Sequence, residues 1–486
     1  MHYVEINIIK TGDLMNTLYN LSVKNFGPIN KAEMDITPLT IFVGKNGSGK
    51  SFFSLLFHSL SNPFNHNSHR FPSHSLNYLK ENQGALFKDF EDKLNEYLEL
   101  KPSFSDNAFE YSISHFIELL NEGFGKCYAK LIENELKNNW KTTLNNLDRG
   151  KTHKFEIKHN DIKFIHESEK IINNNIVEKL MDLIKTINFI NPIGVKISTD
   201  KEHLKINLEY LLWEKMYGNE EDISLAEIIY LLIVSKLIED FKINSFYIPA
   251  GGEIFNDFNR YLSAEISGIN EIPPIQKEFL INLLNVNNGL QKGYFYDLAC
   301  ELEKEIINGE IKIKNGELKD EIIFIDRENN MEFDLNLLSS SVHELLPLII
   351  YLKYYLNKGD TLIIEEIENH LHPENQLILV KYLVKSINKG LNIILTTHSD
   401  YILEEFNNLI RLGNSKKEAL YQLGYDESCI LDYEDVNIYN FKKNDDYSYT
   451  PQMIEVNYTG FDEDNFSKVI EELYAKSDIM DKYKIR

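Results

Sequence analysis

Cysteine is scarce in this chain: Cys127, Cys300 and Cys429 are the only three in 486 residues, far apart and without a CxxC pair. That excludes a disulfide framework and a zinc ribbon, and it suits a reducing, cytoplasmic compartment. Long apolar runs are missing as well. The longest, Ile228 to Leu237 (IIYLLIVSKL), carries Lys236 and falls far short of the roughly 20 residues a membrane span needs. The N-terminal MHYVEINIIKTGD has acidic residues and no clean apolar core, so no signal peptide is expected. Positive charge is in deficit: 51 Lys and Arg against 75 Asp and Glu leave −24. General wrapping by nucleic acid is therefore disfavoured, although a local basic groove remains compatible with the balance. The rest is ordinary globular material, 43% apolar and 26% charged, which excludes a disordered or collagen-like chain. The length suits roughly two to four structural units with a core large enough to need no disulfide.

The first 14 residues read as an appendage, with Met15 as a second candidate start. Leu18 to Val23 patterns as a strand, and Asn25-Phe26-Gly27-Pro28 carries turn chemistry. Leu39 to Val43 has the apolar pattern of a strand covered on both faces, followed by a glycine-rich turn and a helix from Ser51. From Ser61 a polar loop leads into amphipathic helical patterns at Leu86 to Leu100 and Ile113 to Trp140. A strand-like basic stretch follows, then helix over 175–243, a buried strand at Phe246 to Pro249, helix over 253–315, and a strand at Glu321 to Asp326. The last third alternates helix (Ser341 to Leu356), strand (Thr361 to Ile364), helix (Glu374 to Ile387) and strand (Asn392 to Thr396), the rhythm of a parallel α/β sheet. Residues 431–460 look like a small β extension and Glu463 to Lys476 like a terminal helix.

Gly44-Lys45-Asn46-Gly47-Ser48-Gly49-Lys50-Ser51 matches G-x-x-x-x-G-K-[ST], with the strand before and helix after that the motif requires. Glycines let backbone N–H groups curl around phosphates, and the helix start adds partial positive charge. Gly44, Asn46, Gly47, Ser48, Gly49, Lys50, Ser51 and Phe52 are the expected nucleotide contacts. Lys50 would reach the β- and γ-phosphates, and the Ser51 hydroxyl would hold Mg²⁺. In TLIIEEIENHLHPENQ, Glu365 and Glu366 stand at the C-terminal end of a buried strand, the edge where open α/β sheets bind ligands. Glu365 is assigned to the metal side and Glu366 to the general base; a solvated acidic turn is the bland reading of the same pair. Glu368 could be a third acid, though a surface residue is favoured, and His370 and His372 read as packing or facing a partner rather than ligating metal.

NIILTTHSD places His398 at the end of the next strand, where an imidazole could hydrogen-bond a γ-phosphate while Ser399 or Asp400 caps the following helix. Ser339-Ser340-Ser341 precede an amphipathic helix. With Glu344 three residues after Ser341 they read as a capping box, and a serine-capped helix start is also an anion site. His66, His69 and His74 share a polar loop without ligand spacing, so a solvated loop is favoured. Arg149, Lys151, His153, Lys154, Lys158 and Lys163 are the most basic stretch; a solvated hairpin face is favoured over a phosphodiester contact. The serine-hydrolase pattern GxSxG is absent.

In this order, GKNGSGKS, SSSVHEL, LIIEEIENHLHPENQ and LTTHS resemble the ABC-class ATPases of the RecF, SMC and OLD type. The likeness is closer to prokaryotic "AAA family ATPase" proteins with NFGPI before the strand and HLHP after the acidic pair. It covers about residues 18–62 and 320–410, and weakly FYIPAGGE at 246–253, where Gly251-Gly252 replace an arginine–serine pair. The resemblance implies an α/β fold, an ABC-type P-loop NTPase head with a parallel-sheet core plus antiparallel strands. Its halves would be 15–62 and 321–430, separated by a mostly helical insertion (63–320) and followed by a β/α extension (431–486). It implies ATP and Mg²⁺ as cofactors, with Lys50, Glu366 and His398 as the catalytic group. It implies homodimerisation, with Ser339 or Ser340 as the signature serine gripping the γ-phosphate of the opposite protomer. Glu365 stands where an aspartate is usual, and SSS replaces the usual second glycine. A separately encoded effector in antiviral defence is implied as partner; a RecF-like DNA-repair role and a non-hydrolysing scaffold are the alternatives. OLD-type relatives carry a Toprim nuclease, but the stretch after His398 shows no acidic DxD pattern on strand ends, so none is expected in this chain.

Overall fold

Leu39, Ile41, Phe42 and Val43 are completely buried, as an apolar run lying between two covered faces must be. The computed structural model describes residues 5–10, 17–26, 28–61, 71–100, 109–120, 123, 195–199, 203–208, 224–241, 244–250, 279, 282, 290–314, 321–334, 337–462, 474–477 and 479–480. The chain divides into two compact units, one made of 1–61, 138–154 and 243–486, the other of 62–137 and 155–242. Among the described residues no helix is long and apolar enough to cross a membrane.

The first unit is built on a nine-stranded sheet. Its order is β1 (Glu5–Lys10), β2 (Tyr19–Phe26), β3 (Ile29–Ile36), β15 (Tyr449–Ile454), β14 (Val436–Lys443), β4 (Leu39–Gly44), β13 (Asn392–Thr396), β12 (Thr361–Glu365) and β8 (Ser245–Ile248). The five strands from β14 to β8 run parallel, while β1, β2 and β3 form an antiparallel meander. This is the expected α/β class, a parallel core extended by antiparallel strands. Helices α1 (Lys50–Ser61), α5 (Tyr296–Ile306), α6 (Ser340–Ile350), α7 (Pro373–Asn388), α8 (Asp400–Leu412) and α9 (Lys417–Leu423) belong to the same unit. A three-stranded sheet of β9 (Gly309–Lys314), β10 (Glu321–Asp326) and β11 (Glu332–Asp334) and a hairpin of β16 (Val456–Asn457) and β17 (Gly460–Phe461) complete it.

Two placements within the nine-stranded sheet differ from the sequence reading. Residues 5–10 are not an appendage but edge strand β1, paired with β2 from Glu5↔Lys24 to Lys10↔Tyr19. The stretch read as a small β extension supplies β14, which lies beside β4 in the middle of the sheet, from Val436↔Leu39 to Phe441↔Gly44. Six consecutive buried positions, Val436 to Phe441, mark β14 as a strand covered on both faces. Its partners lie some 400 residues upstream: Asp35 donates its N–H to the Tyr439 hydroxyl (2.8 Å), and Asn437 Nδ2 donates to Asp35 O (2.9 Å).

The helix predicted from Ser341 begins at Ser340, contains Pro347, and passes into one π-helical turn, Tyr351–Tyr355, closed by Leu356 N–H to Tyr351 O at 2.9 Å. That turn aims Lys353 into the core. Its Nζ is 2.7 Å from Glu303 Oε1 on α5 and donates to Ile311 O on β9 at 2.8 Å; both side chains are 1% exposed or less. Ile311 N–H donates back to Glu303 Oε1 at 2.9 Å, so one buried ion pair ties three elements together.

The second unit packs α2 (Phe71–Leu100), α3 (Ile113–Leu120) and α4 (Leu225–Phe241) with a small sheet of β5 (Phe109–Ser112), β7 (His203–Leu208) and β6 (Val195–Thr199). Phe90 of α2 meets Phe109, Tyr111 and Phe116, and Ser75 Oγ lies 2.6 Å from Tyr230 Oη on α4. Within 175–243, read as helix, β6 and β7 form strands. Their alternation (Val195, Ile197; Leu204, Ile206, Leu208) is short, but pairing Ile197↔Ile206 and Val195↔Leu208 gives it a partner. His66 and His69, the basic stretch from Arg149 to Lys163, and Gly251-Gly252 lie outside the described residues, as does most of the expected terminal helix.

Candidate functional site

Strands β4, β13, β12 and β8 end at one edge of the sheet, and the residues singled out in the sequence cluster there. β4 ends in Gly44 at φ +139°, where a Cβ would stand 3.1 Å from Phe441 O; only glycine fits against β14. Gly49 (φ +103°) would place a Cβ 3.0 Å from Pro28 and 3.1 Å from Ile29. With Gly47 (φ +74°), three positive-φ glycines shape the loop, and Lys45, Asn46 and Gly47 stay exposed at its crest. The Ser48 hydroxyl is buried and, among the described residues, has no hydrogen-bond partner. α1 starts at Lys50; Ser51 is exposed and Phe52 half-buried on its first turn.

Lys50 is buried, and its ammonium donates to Gly44 O (3.0 Å), Lys45 O (3.3 Å) and His398 Nε2 (2.9 Å). An ammonium has only protons to give, so in this contact the imidazole accepts through Nε2 and is neutral. Glu366 Oε1 lies 3.4 Å from the same Nε2. A protonated ring would turn that nitrogen to Glu366 instead, so Nε2 serves one neighbour at a time. Burial lowers the Lys50 pKa, opposed by the charges of Glu366, Glu365 and Glu368. When Nε2 instead carries a proton, its hydrogen bond and charge hold the Glu366 carboxyl below the usual glutamate value, against burial. Glu366 sits at φ +47°, a left-handed conformation that costs a non-glycine residue roughly 1–2 kcal/mol. Its N–H donates to Thr396 O (2.9 Å), which locks the end of β12 to the end of β13.

Glu365 is buried, and burial raises its pKa; the hydroxyls of Tyr247 and Ser51 and the Ala250 N–H hold the carboxyl. Among the described residues its Oε1 has no hydrogen-bond partner. A buried, orphaned carboxylate oxygen beside a hydroxyl fits Mg²⁺, which typically takes one or two protein carboxylates and completes its shell with phosphates and water. Tyr247 was not singled out in the sequence. Register explains its role: it pairs with Ile363, two residues before Glu365, so the two side chains share one face of the sheet.

Four side chains depart from expectation. Glu368 is no surface residue: it is 9% exposed and accepts from Thr397 Oγ1 (2.8 Å) and His398 N–H (2.5 Å). Ser341 does not cap its helix. Ser339 is the N-cap, without a side-chain cap bond, and Ser341 Oγ donates to His370 O (3.0 Å). Glu344 does not close a capping box but is buried. His372 Nδ1 accepts from Glu374 N–H (3.4 Å) and so caps α7, while His370 is exposed at φ +63°. Of the two candidate caps for α8, Ser399 is the N-cap, accepting from Ile402 N–H (3.4 Å). Ser339 and Ser340 are both exposed and, among the described residues, make no hydrogen bond to Lys50, Glu366 or His398.

Burial, with the Glu368 carboxylate nearby, pushes the Glu344 carboxyl up to about 7. An unfolded glutamate titrates near ~4.3, so the fold holds this proton longer. The stability it contributes is complete below that lower value and is lost as pH rises through about 7. Between pH ~5 and ~8 the wild type should lose roughly 2–3 kcal/mol more unfolding free energy than Glu344→Gln, read by urea unfolding at both pH values. Parallel curves for the two proteins would refute this.

A strand, a glycine loop and a helix-borne lysine, facing carboxylates at the end of a parallel strand two places along the sheet, define a P-loop nucleotide-binding head. The chain belongs to the AAA ATPase domain family, whose model matches residues 17–403. β14, β15 and the terminal hairpin lie beyond that match. Among solved structures the chain is similar to the SMC head domain from Thermotoga maritima (14% identity, TM-score 0.23, 44% of this chain and 54% of that one). It therefore spans about half the length of that chain. It is also similar to an SMC head bound to the C-terminal winged-helix domain of ScpA (12%, TM-score 0.33, 93% and 98%). A third likeness is to an SMC head with an extended coiled coil from Pyrococcus furiosus, bound to the C-terminal domain of ScpA (10%, TM-score 0.31, 98% and 100%). No curated protein matches the chain.

Proposed function

We propose that this protein binds and hydrolyses ATP as a nucleotide-gated switch whose two composite sites close when two copies of the chain meet. The observation that carries this reading is the convergence of Lys50, Glu366 and His398, with Nε2 2.9 Å from one and 3.4 Å from the other, on adjoining strand ends. Lys50 would exchange its loop carbonyls for β- and γ-phosphate oxygens, which releases His398 to the γ-phosphate. Ser51 and Glu365 would hold Mg²⁺, which neutralises charge on the β- and γ-oxygens. Glu366, kept ionised beside His398, would accept the proton of the attacking water. The exposed Ser339–Ser340 start of α6 would supply N–H and hydroxyl donors to the γ-phosphate of a second copy. Loss of that phosphate removes the bridge and separates the copies. In this reading the insertion and the C-terminal extension pass the change to a separately encoded effector, and antiviral defence is the setting the sequence resemblance suggests.

Sedimentation tests the switch. ATP with Mg²⁺ should double the sedimenting mass of the Glu366→Gln variant, and ADP should not. Adding Ser339→Arg should abolish the shift with unfolding free energy unchanged within about 0.5 kcal/mol, because the position is exposed. Full phosphate release from a species that stays monomeric would sink the composite-site reading.

A further inference from the structure

The turn after β12 reaches across twice, to the end of β13 and to the loop that follows it. Glu366 does so through its backbone, and Glu368 through its side chain. One oxygen of Glu368, Oε1, takes both the Thr397 hydroxyl and the His398 N–H, at 2.8 and 2.5 Å. Thr397 Oγ1 in turn accepts from Ser399 N–H at 3.0 Å, so residues 397–399 are all ordered around this carboxylate. Its other oxygen, Oε2, is buried and has no hydrogen-bond partner among the described residues. A buried carboxylate is costly to keep, and burial indeed raises its pKa. An apolar side chain would fill the space but leave the His398 N–H and the Thr397 hydroxyl unpaired. The imidazole that this peptide carries must stand between Lys50 and Glu366, where a fraction of an ångström decides which of them Nε2 meets.

We propose that Glu368 is the positioning residue of His398: it fixes the 397–398 peptide from behind and thereby aims the ring at the γ-phosphate. The inference rests on the reading of His398 as a γ-phosphate contact. Glu368 itself makes no hydrogen bond to Lys50 or to the side chain of Glu366 among the described residues.

Two readouts test it, on the full chain. The first needs no nucleotide: acylation of His398 by diethyl pyrocarbonate, followed by peptide mass spectrometry. Glu368→Ala should raise the rate at His398 at least threefold, because the ring is no longer held. Glu368→Gln should stay within twofold of wild type, because its amide oxygen still accepts both bonds. An unchanged rate in Glu368→Ala, or an equal rise in Glu368→Gln, overturns the proposal.

The second is the ratio of Kd for ADP to Kd for ATP. Glu368→Ala and His398→Ala should each lower it about tenfold, and the double variant no further, since one acts through the other. Multiplying losses would show that Glu368 acts elsewhere and overturn the proposal. Equal affinity of the wild type for ATP and ADP would instead overturn the γ-phosphate role of His398, and the acylation rates then decide Glu368 alone.

Discussion

Replacing Glu366 by glutamine is expected to slow phosphate release from ATP by roughly 10²- to 10⁴-fold, the range a positioned general base contributes. The amide keeps the size of the side chain and can still meet Asn369 Nδ2, 3.5 Å away, and His398. What it loses is the ability to take a proton. Lys50 loses one of the three carboxylate charges that oppose its desolvation, which frees its ammonium for phosphate. ATP affinity should therefore hold or tighten by up to about threefold, under 1 kcal/mol. Because the bridging phosphate persists, the ATP-bound assembly should outlive that of the wild type. Phosphate release and a chase of labelled ATP measure the two effects separately. Equal release rates in variant and wild type would remove Glu366 from the chemistry.

The largest expected stability effect lies away from the site. Lys353→Met should destabilise the first unit by about 3–5 kcal/mol, because it leaves Glu303 buried without its cation. One oxygen of Glu303 already has no hydrogen-bond partner among the described residues, and its pKa is raised by burial against the pull of Lys353. Removing that pull drives it toward protonation, and the β9 carbonyl at Ile311 loses its donor. Glu303→Leu together with Lys353→Met removes both charges and should recover most of the loss. Urea unfolding of the single and double variants measures this; a double variant no more stable than Lys353→Met would show that the pair is not the source. The π-helical turn that carries Lys353 continues α6, so loosening it should also blunt nucleotide-dependent association more than nucleotide binding.

The features legible in the sequence are those whose chemistry is local. A positive-φ loop needs glycine at Gly44, Gly47 and Gly49, a buried strand needs an unbroken apolar run such as Leu39 to Val43, and a helix start needs a cap. These constraints act within a few residues, so the loop, its flanking strand and helix, and the carboxylate at the end of β12 could all be located without coordinates. Even there the cap went to Ser339 rather than Ser341, because His370, 29 positions further along the chain, claims the Ser341 hydroxyl.

Tertiary structure alone decided which strands are neighbours and which side chains face each other. β14 joins β4 although about 400 residues separate them, and its alternating, half-polar letters carry no address. Tyr247 holds Glu365 only because β8 pairs with β12 in a register that puts both on one face; a slip of one residue would turn Tyr247 away. Glu368 looked like a solvated charge because exposure is a property of what packs over a residue, and what packs there is the loop after β13. Local backbone preference is written in neighbouring residues, whereas burial and partnership are settled by the long-range contacts of the whole chain.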